Sequence, residues 1–480
     1  MAAHRDLVEA QSFNRRRLVA AFVRGVPGAR DVAPSGSART IAGGVALAVL
    51  LVAGAAIAGL LAPRTPDDWA SHGLVVSRET GQAYVVLPAA AGEAPRERVD
   101  LRPVVNITSA RLVLGADVEP ILVPQDTIEE QAVGDEIGIL GAPADLPGPD
   151  GLVGTGWTAC TADRRGVRVR VTAEPDTDAG PEAGLVVRVG EEFYLVATEQ
   201  VGDEPSAAYA LRLPDRSSAD YLLGDLGLPA RVLAPRVPRA WLDLFPAGAP
   251  LDASSLGPAD VGGRPAAWAA AGVPARARVG DVLTDDAGHT VLLTVDGPAD
   301  LDPFALAVYR HSMLPGHRSP ALIPVSVLPD LAKARLPFDD AHWPTTAPVP
   351  MPAEPCAVLL TDGAGPVVVQ LAPSPGRDYA AAGVDAGATE VEVDAGRAAY
   401  VLTRPAGRGR DARPIVVDGA GRAHRLGGED TAAQLGYADY RAPVVPAGWV
   451  RLFGAGVRLS ERLALCPPAP DRRRRDASCA

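Results

Sequence analysis

Lysine is almost absent from this chain of 480 residues, because Lys333 is the only one and arginine supplies the rest of the positive charge. A Walker-type phosphate loop needs a Gly-Lys-Ser/Thr sequence, which brings an ammonium group to the phosphates. Lys333 stands in Ala-Lys-Ala. The sequence therefore excludes a P-loop.

Histidine and cysteine are also scarce, and neither is spaced for metal binding or covalent catalysis. The chain has no HExxH, no CxxC and no GxSxG. Such spacings place two ligands on one face of a helix or expose a nucleophile. We therefore expect no catalytic residue, no metal and no cofactor, and most histidines are predicted to be surface groups. The histidines lie at positions 4, 72, 289, 311, 317, 342 and 424.

Composition and charge describe a folded, acidic chain with a basic N-terminal part. Glycine (50) and proline (46) are frequent, yet 47% of the residues are hydrophobic. Short strands with tight turns, in roughly two to four folding units, fit this balance. Residues 1–62 carry seven arginines and three acidic residues, or +4, so the net charge of −12 leaves −16 on the remainder. That sign argues against a nucleic-acid partner.

A run of 22 uncharged residues, Ile41 to Ala62, stands between Arg39 and Arg64. A helix of this length spans roughly 30 Å of hydrocarbon, so the run predicts a transmembrane helix. A buried core helix is rarely apolar on every face, and a cleaved signal peptide has a shorter leader and an apolar stretch of about 7 to 15 residues. Arginines before the run and acidic residues after it predict a cytoplasmic N-terminus.

The segment before the run predicts an amphipathic helix, because residues 6–24 contain neither proline nor glycine. An apolar side containing Leu18 and Phe22 lies beside three consecutive arginines. The helix either rests on anionic lipid headgroups or docks on a cytoplasmic partner, and the residues themselves favour neither. The candidate docking residues are Arg15, Arg16, Arg17, Leu18 and Phe22.

The expected organisation has four parts. Residues 1–40 form a cytoplasmic amphipathic leader, 41–62 a transmembrane helix, 63–466 an extracytoplasmic repeat-containing domain, and 467–480 a disordered tail. The expected fold class is α+β, with a single N-terminal transmembrane helix and a β-rich extracytoplasmic domain.

Pairs of short apolar runs recur within residues 63–466, each pair flanking a turn that contains glycine. Glycine accepts a positive φ, and aspartate bonds to the backbone of the turn, so the pattern predicts β-hairpins. A calcium loop is the alternative for the Asp-Gly turns, but its alternating acidic ligands are absent. The turns contain Thr80-Gly81, Gly190, Asp286-Ala287-Gly288, Asp362-Gly363-Ala364-Gly365 and Asp418-Gly419-Ala420-Gly421.

A longer repeat is built on tryptophan. Both copies follow a Val-Pro pair, and weaker related segments begin at Val123-Pro124 and Ile323-Pro324, which indicates about four units spaced by roughly 90 to 120 residues. Proline suits the first turn of a helix, and Trp and Leu three positions apart lie on one face. We expect Trp241, Phe245, Trp449 and Phe453 to form repeat cores without chemical roles. The matched residues are Trp241, Leu244, Phe245, Ala247, Gly248 and Leu251 in one copy and Trp449, Leu452, Phe453, Ala455, Gly456 and Leu459 in the other.

Taken together, several stretches resemble the EccB family, a core membrane component of the type VII secretion system of actinobacteria. The resemblance covers nearly the whole chain, including the single predicted span. The stretches are Gln11 to Val19, Glu79 to Gln82 with Tyr84, Arg102 to Asn106, Ser109 to Leu112, Gly138 to Pro147, Trp157, Cys160, and Leu435-Gly436-Tyr437 through Trp449.

The resemblance implies about four repeat units around a central β domain, stapled by a disulfide between Cys160 and Cys356. In the chain-entropy model a bridge that closes so long a loop contributes about 3 to 5 kcal/mol. The pairing of Cys466 and Cys479 is left open.

The resemblance also implies a structural subunit of the inner (plasma) membrane that bridges the secretion core to the extracytoplasmic side. Its partners would be the motor ATPase EccC, the multispanning subunit EccD, EccE and further copies of itself, which favours protein docking for the leader. Two alternatives remain. Family members are sometimes described as ATPases, which the missing Walker lysine argues against here, and a cell-wall anchor would bind peptidoglycan.

Overall fold

The computed structural model describes residues 2–24, 69–70, 73–87, 99–173, 175, 177, 180, 182–199, 207–214, 216–256, 260–312, 320–334, 341–351, 354–361, 367–404, 412–428 and 430–469. The chain divides into two units, Met1–Pro66 and Asp67–Ala480. The predicted transmembrane run 41–62 and most of the predicted tail 467–480 lie outside the described residues. Within these ranges no helix is both long enough and apolar enough to cross a bilayer.

Ten α-helices are described, most of them short. They are α1 (Ala2–Arg24), α2 (Ile107–Leu114), α3 (Gln125–Glu129), α4 (Arg216–Asp225), α5 (Arg239–Leu242), α6 (Ala253–Leu256), α7 (Pro303–Arg310), α8 (Thr431–Gln434), α9 (Ala447–Val450) and α10 (Glu461–Ala464). Single 3₁₀ turns cover Pro149–Gly151, Arg231–Leu233 and Ala266–Ala269.

The strands are equally short, as the spacing of glycine and proline predicts. They are β1 (Gly73–Ser77), β2 (Ala83–Val86), β3 (Asp100–Pro103), β4 (Pro120–Val123), β5 (Ala132–Val133), β6 (Trp157–Thr161), β7 (Val167–Val171), β8 (Ala183–Val189), β9 (Glu192–Thr198), β10 (Ala208–Arg212), β11 (Val282–Thr284), β12 (Thr290–Thr294), β13 (Gly297–Asp300), β14 (Leu322–Pro324), β15 (Val349–Pro350), β16 (Pro355–Leu360), β17 (Val368–Pro373), β18 (Thr389–Val393), β19 (Ala399–Thr403), β20 (Arg413–Val417), β21 (Arg422–Arg425), β22 (Val444–Val445) and β23 (Gly454–Ala455).

These strands form five sheets. We name them sheet 1 (β4-β1-β2-β3-β5), sheet 2 (β10-β9-β8-β15), sheet 3 (β13-β12-β11-β14), sheet 4 (β22-β19-β20-β21-β23) and the central sheet (β17-β16-β6-β7-β18). The five predicted hairpins are confirmed as the antiparallel pairs β1/β2, β8/β9, β11/β12, β16/β17 and β20/β21.

Sheets 1 to 4 share one connection pattern. Three consecutive strands form an antiparallel meander, and a helix (α2, α4, α7 or α8) then returns the chain parallel to the first strand. In sheet 2 the returning segment is reduced to the bridge between Arg188 and Arg236. The Val-Pro pairs therefore lie at the end of the returning segment, and Pro124, Pro238 and Pro446 precede the short helices α3, α5 and α9.

A further hydrogen bond recurs in the same four sheets. After the return, one backbone N–H donates to a carbonyl of the third meander strand, at 2.8 to 3.2 Å. This contact covers the free edge of the meander, which would otherwise expose unpaired backbone groups. The donors are Gly134, Gly248, Ala334 and Gly456, and the acceptors are Leu101, Ala210, Pro298 and Ala423.

The hydrophobic cores run from one sheet to the next within Asp67–Ala480. Sheet 4 shares one core with the segment that follows sheet 1, where Ile139 and Leu146 pack with Tyr437. Sheets 2 and 4 share a second core with one face of the central sheet, and sheets 2 and 3 share a third. The order of packing is therefore sheet 1, sheet 4, central sheet, sheet 2, sheet 3.

Candidate functional site

The centre of this arrangement is the central sheet, whose strands come from distant parts of the chain. Residue Cys160 of β6 lies directly opposite Cys356 of β16 in an antiparallel pair, and the two are joined by a disulfide across 196 residues of sequence. Both side chains are buried. The loop that this bond closes contains β7 and all of sheets 2 and 3, so the bond fixes the point at which the chain re-enters the central sheet at β16.

Sheet 2 is fastened to the central sheet by Trp241. Its short helix follows Pro238, whose φ of −66° suits a helix start. The buried indole Nε1 donates to the carbonyl oxygen of Ala159 on β6 at 2.9 Å. The ring of Phe245 meets Trp241 edge to face, with centroids 5.0 Å apart, which is a preferred aromatic geometry.

Sheet 4 is fastened to the same face through ring contacts. Trp157 of β6 lies between Trp449 and Phe453, with centroid distances of 6.3 and 5.4 Å. The Trp157 indole donates to the carbonyl oxygen of Val153 at 3.0 Å, which fixes its orientation. The predicted core residues of the tryptophan repeat are therefore buried, but they pack against the central sheet and not only within their own units.

The two tryptophan helices also touch each other. A Cβ on Gly448 would lie 2.3 Å from the carbonyl oxygen of Asp243, so only glycine allows this approach of backbone to backbone. The guanidinium of Arg451 lies 3.5 Å from the Asp243 carboxylate at the edge of the contact. Sheets 2 and 4 thus meet each other as well as the central sheet.

A buried His-Asp pair lies in sheet 4. The ring of His424 is fully buried, so it is an exception to the expectation that most histidines are surface groups. Its Nε2 lies 3.0 Å from Oδ2 of Asp418, and its Nδ1 lies 3.1 Å from the carbonyl oxygen of Val457. Burial raises the pKa of the Asp418 carboxyl, but hydrogen bonds from His424 and from the N–H groups of Arg422 and Ala420 outweigh it and leave this pKa below its ordinary value.

The other polar clusters consist of hydrogen bonds and ion pairs of a structural kind. Glu192 accepts from Tyr194 Oη and from Arg239, and these bonds lower the pKa of its carboxyl. Among the described residues, no group of three or more His, Cys, Asp or Glu side chains could hold a metal ion. The single lysine, Lys333, pairs with Asp300 at 2.6 Å on sheet 3.

The predicted docking residues lie on α1, which extends over the predicted helical segment. Leu18 and Phe22 are 70% and 93% exposed, and Arg15, Arg16 and Arg17 are exposed as well. Residues 15, 18 and 22 are spaced by three, four and seven, so they share one side of the helix. Docking of this side on a protein, or on lipid, stays a prediction.

The second cysteine pair is described only in part. Cys466 is disulfide-bonded. Cys479 lies outside the described residues.

Comparison with known proteins gives a consistent result. Residues 2–468 match the profile of the family described as "Type VII secretion system ESX-1, transport TM domain B", or EccB. The "ESX-1 secretion system ATPase EccB1" of Mycobacterium tuberculosis (strain ATCC 25618 / H37Rv) is 28% identical over 370 residues, which are 73% of this chain and 68% of that protein. The "ESX-3 secretion system ATPase EccB3" of the same strain is 28% identical over 328 residues, covering 64% and 56%.

Two solved structures share the fold. The EccB3 dimer from the ESX-3 core complex superposes with a TM-score of 0.59 at 20% identity and covers 82% of this chain and 99% of that one. A chain of the intact ESX-5 inner membrane complex superposes with a TM-score of 0.57 at 20% identity and covers 96% and 95%.

Proposed function

This chain belongs to the EccB family of type VII secretion inner-membrane components, and on that premise we propose that it is a structural subunit, not an enzyme, which bridges the membrane core to the extracytoplasmic side. The observation that carries the proposal is the brace at the central sheet. A disulfide joins β6 to β16 within that sheet, and the buried side chains of Trp241, Trp449 and Phe453 fasten sheets 2 and 4 to one of its faces.

Such a brace suits a part that must hold its partners at fixed positions. Close-packed cores transmit strain and resist deformation, and these cores are shared from sheet to sheet. The curated relatives are called ATPases, but the only lysine of this chain forms an ion pair with Asp300 and stands in no Gly-Lys-Ser/Thr sequence.

We further propose that sheets 1 to 4 are four copies of one repeat unit. Their common meander, their parallel return and the recurring N–H to carbonyl bond support this interpretation. The proposed boundaries are 1–40 for the cytoplasmic leader, 41–62 for a transmembrane helix, 63–466 for the extracytoplasmic domain and 467–480 for the tail. In this arrangement the exposed side of α1 docks on the secretion motor ATPase or the multispanning subunit.

Co-purification tests the proposal. The tagged chain, extracted in a mild detergent, is expected to bring other type VII secretion subunits with it, which mass spectrometry identifies. The double variant Leu18→Asp/Phe22→Asp is expected to lose cytoplasmic partners while its near-UV circular dichroism stays unchanged. The matched control is Phe13→Asp, because Phe13 is also exposed but lies on the other side of α1.

Two outcomes contradict the proposal. One is a chain that purifies without any secretion subunit. The other is turnover of ATP by the purified chain that a single substitution in a defined pocket abolishes.

A further inference from the structure

Charge is segregated along this chain more sharply than its net value indicates. From Leu112 to Asp163 there are ten acidic residues and no basic one, and Arg164 and Arg165 follow immediately. The acidic residues from 117 to 136 lie on α3 and on the segments beside β4 and β5 of sheet 1, whereas the two arginines lie on the turn between β6 and β7. Surfaces of opposite sign are therefore found on different sheets.

The positive surface is centred on the β8/β9 hairpin of sheet 2. We call it the arginine surface: Arg165, Arg231, Val232, Leu233, Arg236 and Arg239. The guanidinium of Arg231 lies 5.1 Å from the ring centroid of Phe193, and that of Arg239 lies 5.3 Å from the ring centroid of Tyr194. The N–H of Arg164 donates to the carbonyl oxygen of Arg236 at 2.9 Å, which places the β6/β7 turn beside them.

Its composition is that of a binding surface. Val232 and Leu233 are 88% and 71% exposed, although both are aliphatic and adjacent. Arg231 and Arg239 are paired with Asp220 and Glu192. The backbone N–H of Arg236 donates to the Asp163 carboxylate at 2.7 Å, but among the described residues no carboxylate pairs with the guanidinium of Arg165 or Arg236, and both side chains are exposed. Arginine and aromatic side chains around an apolar centre are typical of the residues that carry interface energy.

The complementary surface lies on sheet 1, at α3 and β5. We call it the acidic surface: Asp126, Glu129, Glu130, Val133, Asp135 and Glu136. All six side chains are exposed, and no arginine pairs with its carboxylates among the described residues. Val133, 49% exposed, supplies an apolar residue among the carboxylates, as Val232 and Leu233 do among the guanidiniums.

We infer that the arginine surface of one copy binds the acidic surface of a second copy. The inference rests on the proposed function, because it describes how copies of this subunit assemble. The two surfaces differ, so the contact is heterologous and each copy can bind a further copy through its unused surface. Attraction between the charges would steer the encounter and weaken as salt is added.

Charge reversal on each surface tests the inference with the full chain in detergent. The variants are Arg165→Glu/Arg236→Glu and Glu129→Arg/Glu130→Arg. Each is expected to weaken self-association at least tenfold in mass photometry. Mixed together, they are expected to recover one-to-one pairs, because the first retains an intact acidic surface and the second an intact arginine surface. The matched control is Arg276→Glu/Arg377→Glu, which makes the same change in net charge at exposed positions elsewhere.

Two results would overturn the inference. One is that the mixture of the two variants fails to recover self-association. The other is that only the arginine variant loses self-association, which would mean that the arginine surface binds a different anion. In either case continued co-purification with other secretion subunits would leave the proposed function intact.

Discussion

Sheets 2 and 4 carry Trp, Phe and Gly at the same spacing and pack on the same face of the central sheet, yet one position in them differs in chemistry. The Cβ of Gly248 would meet Leu211, and the Cβ of Gly456 would meet the ring of His424. Leu211 and His424 each follow the residue that accepts the recurring backbone bond, Ala210 and Ala423. The two side chains are thus equivalent, one apolar and one paired with Asp418.

Sheets 1 and 3 extend the comparison. In sheet 1 the glycine is Gly134 and the side chain across it is Arg102, whereas sheet 3 has Ala334 at the glycine position and buried Ala299 at the side-chain position. A large residue therefore accompanies glycine and a small one accompanies alanine. The large side chain thus occupies the space that a Cβ would take, while its polarity is free to change if every buried polar atom keeps a partner.

Removing the tryptophans should have the largest effect on the stability of sheets 2 and 4. Trp241→Ala and Trp449→Ala should each lower the free energy of unfolding by about 3 to 5 kcal/mol. Trp241→Ala should cost about 1 kcal/mol more, because the Ala159 carbonyl loses its donor. Urea unfolding followed by circular dichroism measures both. Trp241→Phe is the control that removes the donor but keeps most of the volume, and a larger loss for Trp449→Ala would contradict the difference.

Gly248 and Leu211 fill one space, so substitutions at the two positions should have coupled effects on stability. Gly248→Ala should cost about 1 to 3 kcal/mol, since its Cβ would lie 2.4 Å from Leu211 Cδ2. In a Leu211→Ala background the same change should cost less, because of the two closest atoms only the Ala341 carbonyl oxygen, at 3.0 Å, then remains, so a double-mutant cycle should give a clear coupling energy. Gly134→Ala is the control, because it meets only the flexible end of Arg102. Additive effects at Gly248 and Leu211 would show that the two positions are independent.

Replacing His424 of sheet 4 by leucine, the residue at the equivalent position of sheet 2, tests the contribution of the polar pair. His424→Leu should lower stability by about 1 to 3 kcal/mol, because Asp418 and the Val457 carbonyl lose a buried partner. The folded pKa of Asp418 is lowered, so its stabilising effect is present above about pH 4 and is lost as the pH falls through that folded pKa. The variant should therefore lose less stability on acidification. A thermal melt series from pH 7 to pH 3 measures this, and unchanged acid sensitivity would contradict it.

The smallest effect is expected in sheet 3, where the same kind of turn faces solvent. Asp285 accepts from the N–H groups of Ala287 and His289, as Asp418 does from Ala420 and Arg422. The His289 ring is exposed, although its hydrogen bond lowers the pKa of the Asp285 carboxyl. His289→Ala should leave the melting temperature unchanged within error. A shift as large as that of His424→Leu would mean that burial does not decide the difference.

Local features of this fold could be predicted from sequence. The Gly-containing turns identify five of the ten antiparallel pairs of consecutive strands among the described strands, because the glycine and aspartate chemistry acts over four or five residues. Matched spacing identifies Trp241 and Trp449 as equivalent. The same comparison contains a signal for the buried pair, since Gly248 and Gly456 match and a shared glycine often marks a close approach.

Long-range features could not be predicted in the same way. The central sheet joins β6 and β7 to β16, β17 and β18, which follow about 190 residues later, and nothing local specifies that pairing. The repeat pattern predicts that the Val-Pro pairs start segments, whereas in the structure they end the returning strands. Trp268 lies in a stretch rich in alanine, proline and glycine, yet its side chain is buried with those of β11 and β12. In each case the deciding partner is distant in sequence.

The bond between the Gly138 N–H and the Cys466 carbonyl oxygen, at 2.9 Å, joins the segment after sheet 1 to the end of α10, the last helix among the described residues. The ribosome produces residue 138 long before residue 466, so during synthesis the segment around Gly138 lacks this hydrogen-bond partner. Truncated nascent chains should thus remain sensitive to proteases near Ile139 until the C-terminal residues emerge. Completion of the polypeptide, and not only its collapse, then sets the moment at which the domain closes.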